Sequence, residues 1–276
     1  MSSQIETDTD PKVTMIHPTA IVDPGAIIGA GVEIGPYAVV GDAVELADNV
    51  VLKSHAVVHG RTYIGARSVI YPFASIGHAP QDLKFKGEPS ALLIGANNTI
   101  REHVTMNPGT EGGGMVTRVG DNGLFMTGCH IGHDCQVGNG VVFANNATLA
   151  GHVIVEDQAL IGGLAAVHQF VRIGRLAMVG GMTGVERDVI PYGSVMGDRA
   201  RLAGLNWIGL QRQGFSRTVI HGLRQAFKEL FSGEGTFQDR VAALDAATTR
   251  PGPERDILDF ILAESDRAIC QPRPGD

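Results

Sequence analysis

The sequence predicts an all-β parallel β-helix, built from a hexapeptide repeat, followed by a C-terminal α-helical domain. An aliphatic residue recurs every six positions from Ile16 to about Met196, in units such as IGPYAV, IGHDCQ and VGNGVV. Aromatic residues make up only 5% of the chain, whereas glycine occurs 37 times. A short strict period with few large side chains is typical of a solenoid with a thin core.

Each six-residue unit is interpreted as one short strand and one corner. Its aliphatic residue points inward, and the glycine or small polar residue that often follows permits a tight turn. Three units make one triangular coil of roughly 18 residues, and successive coils stack their aliphatic side chains into one column. The predicted β-helix, a hexapeptide-repeat prism, spans residues 16–196 and follows an N-terminal tail at 1–15.

Two segments interrupt the repeat and are predicted to leave the prism as external loops. Residues 77–93 (GHAPQDLKFKGEPSALL) and 107–118 (NPGTEGGGMVTR) are rich in glycine, proline and charge. Stacked coils accommodate such insertions at their corners. Because both precede the histidine-rich stretch 125–169, they are candidate walls of a site, although surface insertions without function fit the pattern equally well.

The pattern becomes helical after residue 196. Ile220, Leu223, Phe227 and Phe231 recur at helical spacing. The segments TFQDRVAALDAAT and PERDILDFILAESDRAI continue in the same style, with acidic residues early. We therefore predict a helical domain over 197–276 that caps the open end of the prism and covers its unpaired strand edges.

Composition excludes several classes of protein. A net charge of −7 gives no basic footprint for nucleic acid. Three scattered cysteines are too few for a disulfide framework and fit a reducing compartment. The polar, acidic N-terminus lacks the features of a signal peptide, and no apolar stretch approaches the roughly 20 residues of a membrane helix. We therefore expect a soluble cytoplasmic protein without a transmembrane segment.

Four histidines lie in the 125–169 stretch: His130, His133, His152 and His168. The last three are separated by 19 and 16 residues, close to the length of one coil, so we expect them on one side of the prism. His130 belongs to a neighbouring part of the same coil. A single exposed histidine usually has no function, but three on one face of a repetitive scaffold favour one.

The residue types leave two chemistries open. Imidazoles from stacked coils can bind zinc, and an imidazole can act as a general base, with Asp134 beside His133 to orient it. Cys129 and Cys135 flank the histidines but lack Cys-x-x-Cys spacing, so they are a weak metal signal. Because a prism has flat faces and no internal cavity, we expect the site between the prisms of a homotrimer or under a loop.

Several strings together resemble the UDP-N-acetylglucosamine O-acyltransferases that begin lipid A synthesis. They are QDLKFKGEP (81–89), HIGHDCQVGN (130–139), ANNATLAGHV (144–153), IGGLAAVHQF (161–170) and NWIGLQRQGFSR (206–217). The resemblance implies a left-handed parallel β-helix, although parallel crossovers are usually right-handed. It also implies transfer of a (3R)-3-hydroxyacyl chain from acyl carrier protein to the 3-hydroxyl of UDP-N-acetylglucosamine, without a cofactor or metal.

The same resemblance implies roles for individual residues. His133 is the expected general base, Asp134 its support, and the backbone N–H of Gly151 an oxyanion donor. Gly181 matches the end of the acyl groove, where a glycine leaves room for a longer chain. The other expected substrate-binding residues are Asp82, Lys84, Asn107, His130, His152, His168, Gln169, Arg199, Asn206 and Arg212.

Four positions depart from the family pattern. Asn107 and Arg199 stand where relatives often carry histidine, Ile208 replaces a glutamate near the nucleotide, and Gln213 replaces a second arginine. These changes leave the acceptor open between the 3-hydroxyl of the sugar nucleotide and the amine of its 3-amino analogue.

Three further functions remain as alternatives. A related N-acyltransferase acts on an acylated glucosamine nucleotide but normally carries an extra N-terminal domain. A zinc hydratase of carbonic-anhydrase type uses the same fold, and a structural solenoid would have no activity. For an acyltransferase, we expect the carrier protein to dock on basic residues of the C-terminal domain, namely Arg217, Arg224 and Lys228.

Overall fold

The structure is a computed structural model that describes residues 13–273. Within this range, short strands form three sheets of eleven, nine and eight strands, which are the three walls of a left-handed parallel β-helix. Apart from the last strand of the eleven-stranded sheet, which pairs antiparallel, neighbouring strands are hydrogen-bonded in parallel, with partners such as His130 and Thr148 lying one coil of 18 residues apart. The predicted fold class is therefore confirmed.

The strands are numbered here in chain order. The first wall consists of β1 (Met15–Ile16), β4 (Glu33–Ile34), β7 (Val51–Leu52), β10 (Val69–Ile70), β13 (Thr99–Ile100), β16 (Leu124–Phe125), β19 (Val142–Phe143), β22 (Leu160–Ile161), β25 (Met178–Val179), β27 (Gly193–Met196) and β28 (Arg201–Leu205). The second consists of β2 (Ile21–Val22), β5 (Val39–Val40), β8 (Val57–Val58), β11 (Ser75–Ile76), β14 (Thr105–Met106), β17 (His130–Ile131), β20 (Thr148–Leu149), β23 (Ala166–Val167) and β26 (Gly184–Val185). The third consists of β3 (Ile27–Ile28), β6 (Val44–Leu46), β9 (Arg61–Ile64), β12 (Ala91–Ile94), β15 (Val116–Val119), β18 (Gln136–Val137), β21 (Ile154–Val155) and β24 (Arg172–Ile173).

The core of the prism is a stack of inward-pointing side chains, one from each strand. Ile70, Ile100, Phe125 and Phe143 follow one another in the first wall and are completely buried. Burying one such side chain stabilises the fold by about 1.5–3 kcal/mol, so the repeat accumulates stability coil by coil.

The corners correct one detail of the predicted turn chemistry. Many positive φ angles belong to non-glycine residues, including Asp134 (φ 60°) and His152 (φ 62°). The glycine that follows the aliphatic residue has a different role. A Cβ on Gly132 would lie 2.8 Å from the carbonyl carbon of Ala150 in the next coil, so this glycine allows adjacent coils to pack backbone against backbone.

The two interruptions of the repeat leave the prism, as predicted. The stretches 77–90 and 107–115 contain no strand and only one short 3₁₀ helix, Glu111–Gly113, whereas their last residues rejoin the third wall in β12 and β15. Glu88 links the two loops, because its Oε1 accepts a hydrogen bond from the N–H of Glu111 at 3.1 Å. The loops therefore form one structure on the outside of the prism.

Four helices follow the prism: α1 (Trp207–Arg212), α2 (Arg217–Ser232), α3 (Phe237–Ala247) and α4 (Pro253–Leu262). Asn206, Ser216 and Thr236 cap the first three through their side chains. The helical part begins later than residue 197, because 201–205 forms strand β28, which pairs antiparallel with β27.

The helical pattern predicted over 253–269 is wrong beyond residue 262. Helix α4 ends at Leu262, and the chain then turns back to the prism, where Ile269 pairs with Asp188 in a β-bridge. Ser265 fixes this return by donating a hydrogen bond from Oγ to Oδ2 of Asp188 at 2.6 Å. No helix among residues 13–273 is long and apolar enough to cross a membrane.

Candidate active site

His133 and Asp134 lie at a corner of the prism, directly after β17. Neighbouring side chains point to opposite faces of a flat strand, but Asp134 has the left-handed φ of 60°. This backbone conformation brings its carboxylate beside the preceding imidazole, with 2.8 Å between Asp134 Oδ2 and His133 Nδ1. The two residues therefore form a hydrogen-bonded pair.

The second loop holds the carboxylate of this pair. The backbone N–H of Thr110 donates to Asp134 Oδ1 at 2.8 Å, and its hydroxyl donates to Oδ2 at 2.6 Å. The Asp134 side chain is completely buried. Because both Thr110 groups donate, the carboxylate acts as an acceptor here, and a carboxylate acceptor places the Nδ1 proton on His133. The lone pair of His133 Nε2 is then free to accept a proton.

Glycines of the second loop make room for this contact. A Cβ on Gly113 would lie 2.0 Å from Asp134 Cγ, and one on Gly109 would lie 2.8 Å from Oδ1. Real side chains do not approach so closely, so any larger residue would push the loop away from the carboxylate. Thr110 and these glycines are functional candidates that the repeat pattern does not reveal, although the string GTEGGG marks the loop.

Gly151 lies one coil after His133, directly against its ring. A Cβ on Gly151 would lie 2.4 Å from His133 Cε1 and 2.5 Å from Nε2. Its backbone N–H donates no hydrogen bond to any group in residues 13–273. A backbone N–H without a partner in the described part of the chain, on the residue that packs against the basic nitrogen, is suited to stabilise an oxygen that gains negative charge there.

His152 and Phe170 extend the site along the same corner. The His152 ring packs edge-on against His133, with 5.0 Å between ring centroids, and stacks on Phe170 at 4.5 Å. Phe170 lies exactly one 18-residue coil after His152, so coil spacing alone would have indicated this contact. His168 falls two positions before Phe170, which is why it does not stack in the column.

A cleft of about 670 Å³ opens beside these rings. The two external loops form its other walls, and its lining includes Asp82, Lys84, Thr110, His152 and Phe170. The predicted loop residues therefore lie next to the predicted histidines. A lysine at the edge of such a cleft suits an anionic group, for example a diphosphate.

Burial favours the neutral form of the neighbouring histidines by lowering their pKa values. Burial lowers the pKa of His152, an effect that the Asp134 carboxylate opposes and His133 reinforces. Burial also lowers the pKa of His130, and His133 adds to the decrease. His130 Nδ1 lies 2.7 Å from the hydroxyl of Thr105, so its ring is held on the wall beside the pair.

His168 and Gln169 contact the C-terminal segment. Arg267 donates from one terminal nitrogen to His168 Nδ1 at 2.8 Å and from Nε to the backbone oxygen of Gln169 at 3.0 Å. No pattern in the sequence indicates this arginine, because the contact joins residues almost a hundred positions apart.

Asn107 and Gly181 occupy different surroundings. Asn107 is buried, and its amide nitrogen lies 3.0 Å from the backbone oxygen of His78 and 3.4 Å from that of Ala79, so it anchors the first loop to the prism. Gly181 lies on an exposed turn after β25, where a Cβ would meet only backbone atoms of Gly163, the nearer of them at 3.2 Å.

Three of the expected substrate-binding residues lie apart from this cluster. Arg199 pairs with Glu186 at 2.7 Å on the exposed surface, and Asn206 caps α1 while donating to the backbone oxygen of Leu176. Arg212 ends α1 and is exposed, as are Ile208 and Gln213 on the same helix and at its C-cap. Within residues 13–273 of one chain, no hydrogen bond or ion pair joins Arg199, Asn206 or Arg212 to His133.

The cysteines belong to the core. Cys129 and Cys135 point inward at fully buried positions, and burial raises the pKa of their thiols to about 11 and about 12. Thiols that stay protonated are poor metal ligands. Three other groups, on His133, Asp134 and His152, place their ligand atoms within 4.8 Å of one another and could hold a cation.

Comparison with known proteins identifies the family. Residues 188–270 match the family model of UDP-N-acetylglucosamine O-acyltransferase, domain 2. An acyl-[acyl-carrier-protein]–UDP-N-acetylglucosamine O-acyltransferase of Paracoccus denitrificans is 57% identical over 206 residues, which cover 75% of this chain and 78% of the relative. The corresponding protein of Sinorhizobium fredii is 47% identical over 216 residues, covering 78% and 80%.

Solved structures agree with this result. The crystal structure of the UDP-N-acetylglucosamine acyltransferase of Francisella novicida superposes with a TM-score of 0.91 at 33% identity, covering 94% of this chain and 95% of its own. A second UDP-N-acetylglucosamine acyltransferase structure gives 0.90 at 40% identity, covering 94% and 99%. The chain belongs to the UDP-N-acetylglucosamine O-acyltransferase family.

Proposed function

We propose that the protein transfers a (3R)-3-hydroxyacyl chain from acyl carrier protein to the 3-hydroxyl of UDP-N-acetylglucosamine, the first step of lipid A biosynthesis. The observation that carries this proposal is the Thr110–Asp134–His133 chain of hydrogen bonds, which leads to His133 Nε2 against Gly151, a residue whose N–H has no partner among residues 13–273. A base and an oxyanion donor at one point are what acyl transfer to a hydroxyl requires.

The geometry supports the following reaction. His133 Nε2 removes the proton of the sugar hydroxyl as its oxygen attacks the thioester carbonyl. The carbonyl oxygen becomes an oxyanion, which the N–H of Gly151 stabilises, while Asp134 stabilises the imidazolium through Nδ1. Collapse of the tetrahedral intermediate breaks the C–S bond, and the imidazolium returns its proton to the leaving thiolate. The enzyme ends in its starting state, and the product is an ester.

A direct assay tests both the reaction and the acceptor. The purified protein is incubated with UDP-N-acetylglucosamine, or with its 3-amino analogue, and 3-hydroxyacyl carrier proteins of several chain lengths, and products are identified by mass. We expect the ester product. Formation of the amide alone would move the assignment to the amino acceptor, and absence of both products from folded protein would refute the proposal. The side-chain amide of Asn107 can donate both of its hydrogens to backbone oxygens of the first loop. Asn107 therefore gives no reason to prefer the 3-amino analogue over the 3-hydroxyl acceptor.

We propose that the enzyme is a homotrimer with clefts between subunits. Exposed apolar side chains on the prism support this, since extensive exposed apolar surface is unusual for a monomer. Leu164 and Met182 lie one coil apart at the same corner, and Ile154 and Leu160 are exposed on two walls. A neighbouring prism would supply Gly181, Arg199, Asn206 and Arg212 to the cleft that His133 serves.

Complementation between two variants tests whether residues of neighbouring subunits share one cleft. Chains with His133→Ala and chains with Arg212→Ala are denatured together and refolded as mixed trimers. If one cleft uses His133 from one subunit and Arg212 from the next, some clefts regain both residues, and activity exceeds that of either variant alone. Sedimentation at the mass of one 29.1 kDa chain would contradict the trimer.

Acyl chain selection is proposed to depend on Gly181. Replacing it with methionine is expected to shift the preferred donor to shorter chains, because the new side chain would fill the end of the groove. Each methylene that loses its apolar contact costs about 0.8 kcal/mol, so excluding two of them changes the preference roughly tenfold. The measurement is the ratio of kcat/KM for two donor lengths.

A side chain at this site requires only a small adjustment. The φ of Gly181 is not in the left-handed region, and an added Cβ would lie 3.2 Å from the backbone oxygen of Gly163, a tight contact that a shift of a few tenths of an ångström relieves. Ala246→Met on the exposed surface of α3 is the matched control and should leave the ratio unchanged. An unaltered ratio in the Gly181 variant would remove this residue from the groove.

Carrier protein binding is proposed at α2. Arg217, Arg224 and Lys228 recur at helical spacing and are exposed on one face, and Arg224 also packs over the ring of Trp207 at 5.1 Å. An acidic carrier domain would be attracted to this basic stripe, and its affinity should fall as salt rises. We place the reaction in the cytoplasm, in keeping with the three free cysteines, which fit a reducing compartment.

The hydratase alternative predicts a bound metal. His133, Asp134 and His152 are close enough for one, but the 2.8 Å bond between His133 and Asp134 already uses a ligand atom from each. We propose that the transfer needs no metal. Full activity after dialysis against a chelator is the expected result, whereas stoichiometric zinc that is lost together with activity would favour the hydratase.

A further inference from the structure

Arg267 connects the C-terminal segment to the prism corner directly before Phe170 through two hydrogen bonds. Its Nε donates to the backbone oxygen of Gln169 at 3.0 Å, and one terminal nitrogen donates to His168 Nδ1 at 2.8 Å. The planar guanidinium thus donates hydrogen bonds to two consecutive residues at one corner of the prism. Both of these residues are exposed on the side of the prism where Phe170 lines the cleft.

The arginine is held in place for this contact. The backbone N–H of Arg267 donates to Ser265 Oγ at 3.1 Å, and Ser265 donates to Asp188. Asp188 is completely buried and also receives Arg172 at 2.7 Å, and its backbone oxygen accepts from the N–H of Cys270. Since the segment is fixed on both sides of Arg267, the contact to His168 does not depend on a loosely ordered side chain.

The chemistry of the contact determines the form of the histidine. A guanidinium carries five N–H donors and no acceptor. The backbone oxygen of Gln169 also lies 3.3 Å from Nδ1, but Arg267 Nε already donates to that oxygen, and the terminal guanidinium nitrogen is nearer to Nδ1, at 2.8 Å. Nδ1 therefore accepts from Arg267, which leaves the single imidazole proton on Nε2. We infer that Arg267 is a positioning residue that fixes His168 as the neutral Nε2–H tautomer, so that His168 offers one N–H donor to an acceptor oxygen of the sugar nucleotide. The identity of this ligand rests on the proposed function.

Nuclear magnetic resonance tests the tautomer without any turnover. The protein is labelled with ¹⁵N-histidine, and the His168 signals are identified by their loss in His168→Ala. In the wild type we expect a protonated Nε2 and an unprotonated Nδ1. In Arg267→Ala we expect a mixture of both tautomers, and Arg250→Ala, at an exposed arginine with no ion pair among residues 13–273, should resemble the wild type. A wild-type proton on Nδ1, or an unchanged tautomer in Arg267→Ala, would overturn the inference.

Kinetics separate positioning from a merely structural role. Loss of one hydrogen bond to substrate typically weakens binding about tenfold. We therefore expect Arg267→Ala to raise KM for the sugar nucleotide about tenfold while kcat changes less than about threefold. His168→Ala should behave similarly, and the double variant should be no worse than His168→Ala alone, because both substitutions remove the same interaction.

Two further variants complete the test. Arg267→Lys keeps the positive charge but cannot make the fork, so its KM should lie between those of the wild type and Arg267→Ala. Losses that add in the double variant would show that Arg267 acts independently of His168 and would contradict the inference. If the protein showed the tautomer but no acyl transfer, the proposed function would fail while the role of Arg267 toward His168 would stand.

Discussion

Replacing His133 with alanine is expected to lower acyl transfer by about 10³- to 10⁴-fold without unfolding the protein. A positioned general base contributes about 10²- to 10⁴-fold to a rate, and here His133 packs directly on Gly151, with Nε2 2.5 Å from the position of an added Cβ. His130 is paired with Thr105, and His152 Nε2 lies 3.9 Å from Asp134 Oδ2, too far for the 2.8 Å hydrogen bond that His133 makes with this oxygen. Neither can take the place of the His133 Nε2 atom.

The fold should tolerate this change. His133 lies at a corner and retains 12% of its side-chain exposure, so its removal opens a space at the cleft rather than a cavity in the core. The matched control is His221→Ala on the exposed surface of α2, which should keep full activity. The measurements are single-turnover rates and thermal unfolding by circular dichroism. Near-wild-type turnover in the His133 variant would refute the role of His133 as the general base.

The hexapeptide period contains most of the information about the fold. An aliphatic residue at every sixth position, from Ile16 onward, requires a structure in which a side chain points into the core at that interval. The left-handed sense of the β-helix was predicted from the resemblance to a family, because the spacing of the repeat alone does not distinguish a left-handed from a right-handed helix. The end of α4 at Leu262 was not predictable from periodicity, since it depends on Ser265 reaching Asp188, a contact across 77 positions.

The site was only partly predictable for the same physical reason. Spacing near 18 brought His133 and His152 together, but the pairing of His133 with Asp134 depends on a left-handed corner that a strand pattern does not reveal. Thr110 and Arg267 come from an inserted loop and from the C-terminal segment. Their positions are set by tertiary contacts outside the repeat, so no periodicity could indicate them.

Replacing Asp134 with asparagine is expected to be the second most damaging change to catalysis. The side chain would keep its shape, but one of its two acceptor oxygens would become an NH₂ donor. If the amide oxygen stays on the Thr110 N–H, the NH₂ group faces His133 Nδ1, which must then accept. The imidazole proton moves to Nε2, and the base loses its lone pair at the reacting position.

We expect kcat to fall by about 10²- to 10⁴-fold in Asp134→Asn, with KM for the sugar nucleotide changed little, because the defect lies in proton transfer and not in binding. Thr110→Val is the milder substitution for comparison, because it removes the hydroxyl donor to the carboxylate and keeps the backbone N–H donor. Its kcat should fall only about tenfold. If Asp134→Asn retained most of the activity while His133→Ala did not, the carboxylate would serve only to hold the second loop. The expected order of activities, with Thr110→Val above Asp134→Asn and His133→Ala lowest, follows directly from how far each residue stands from the transferred proton.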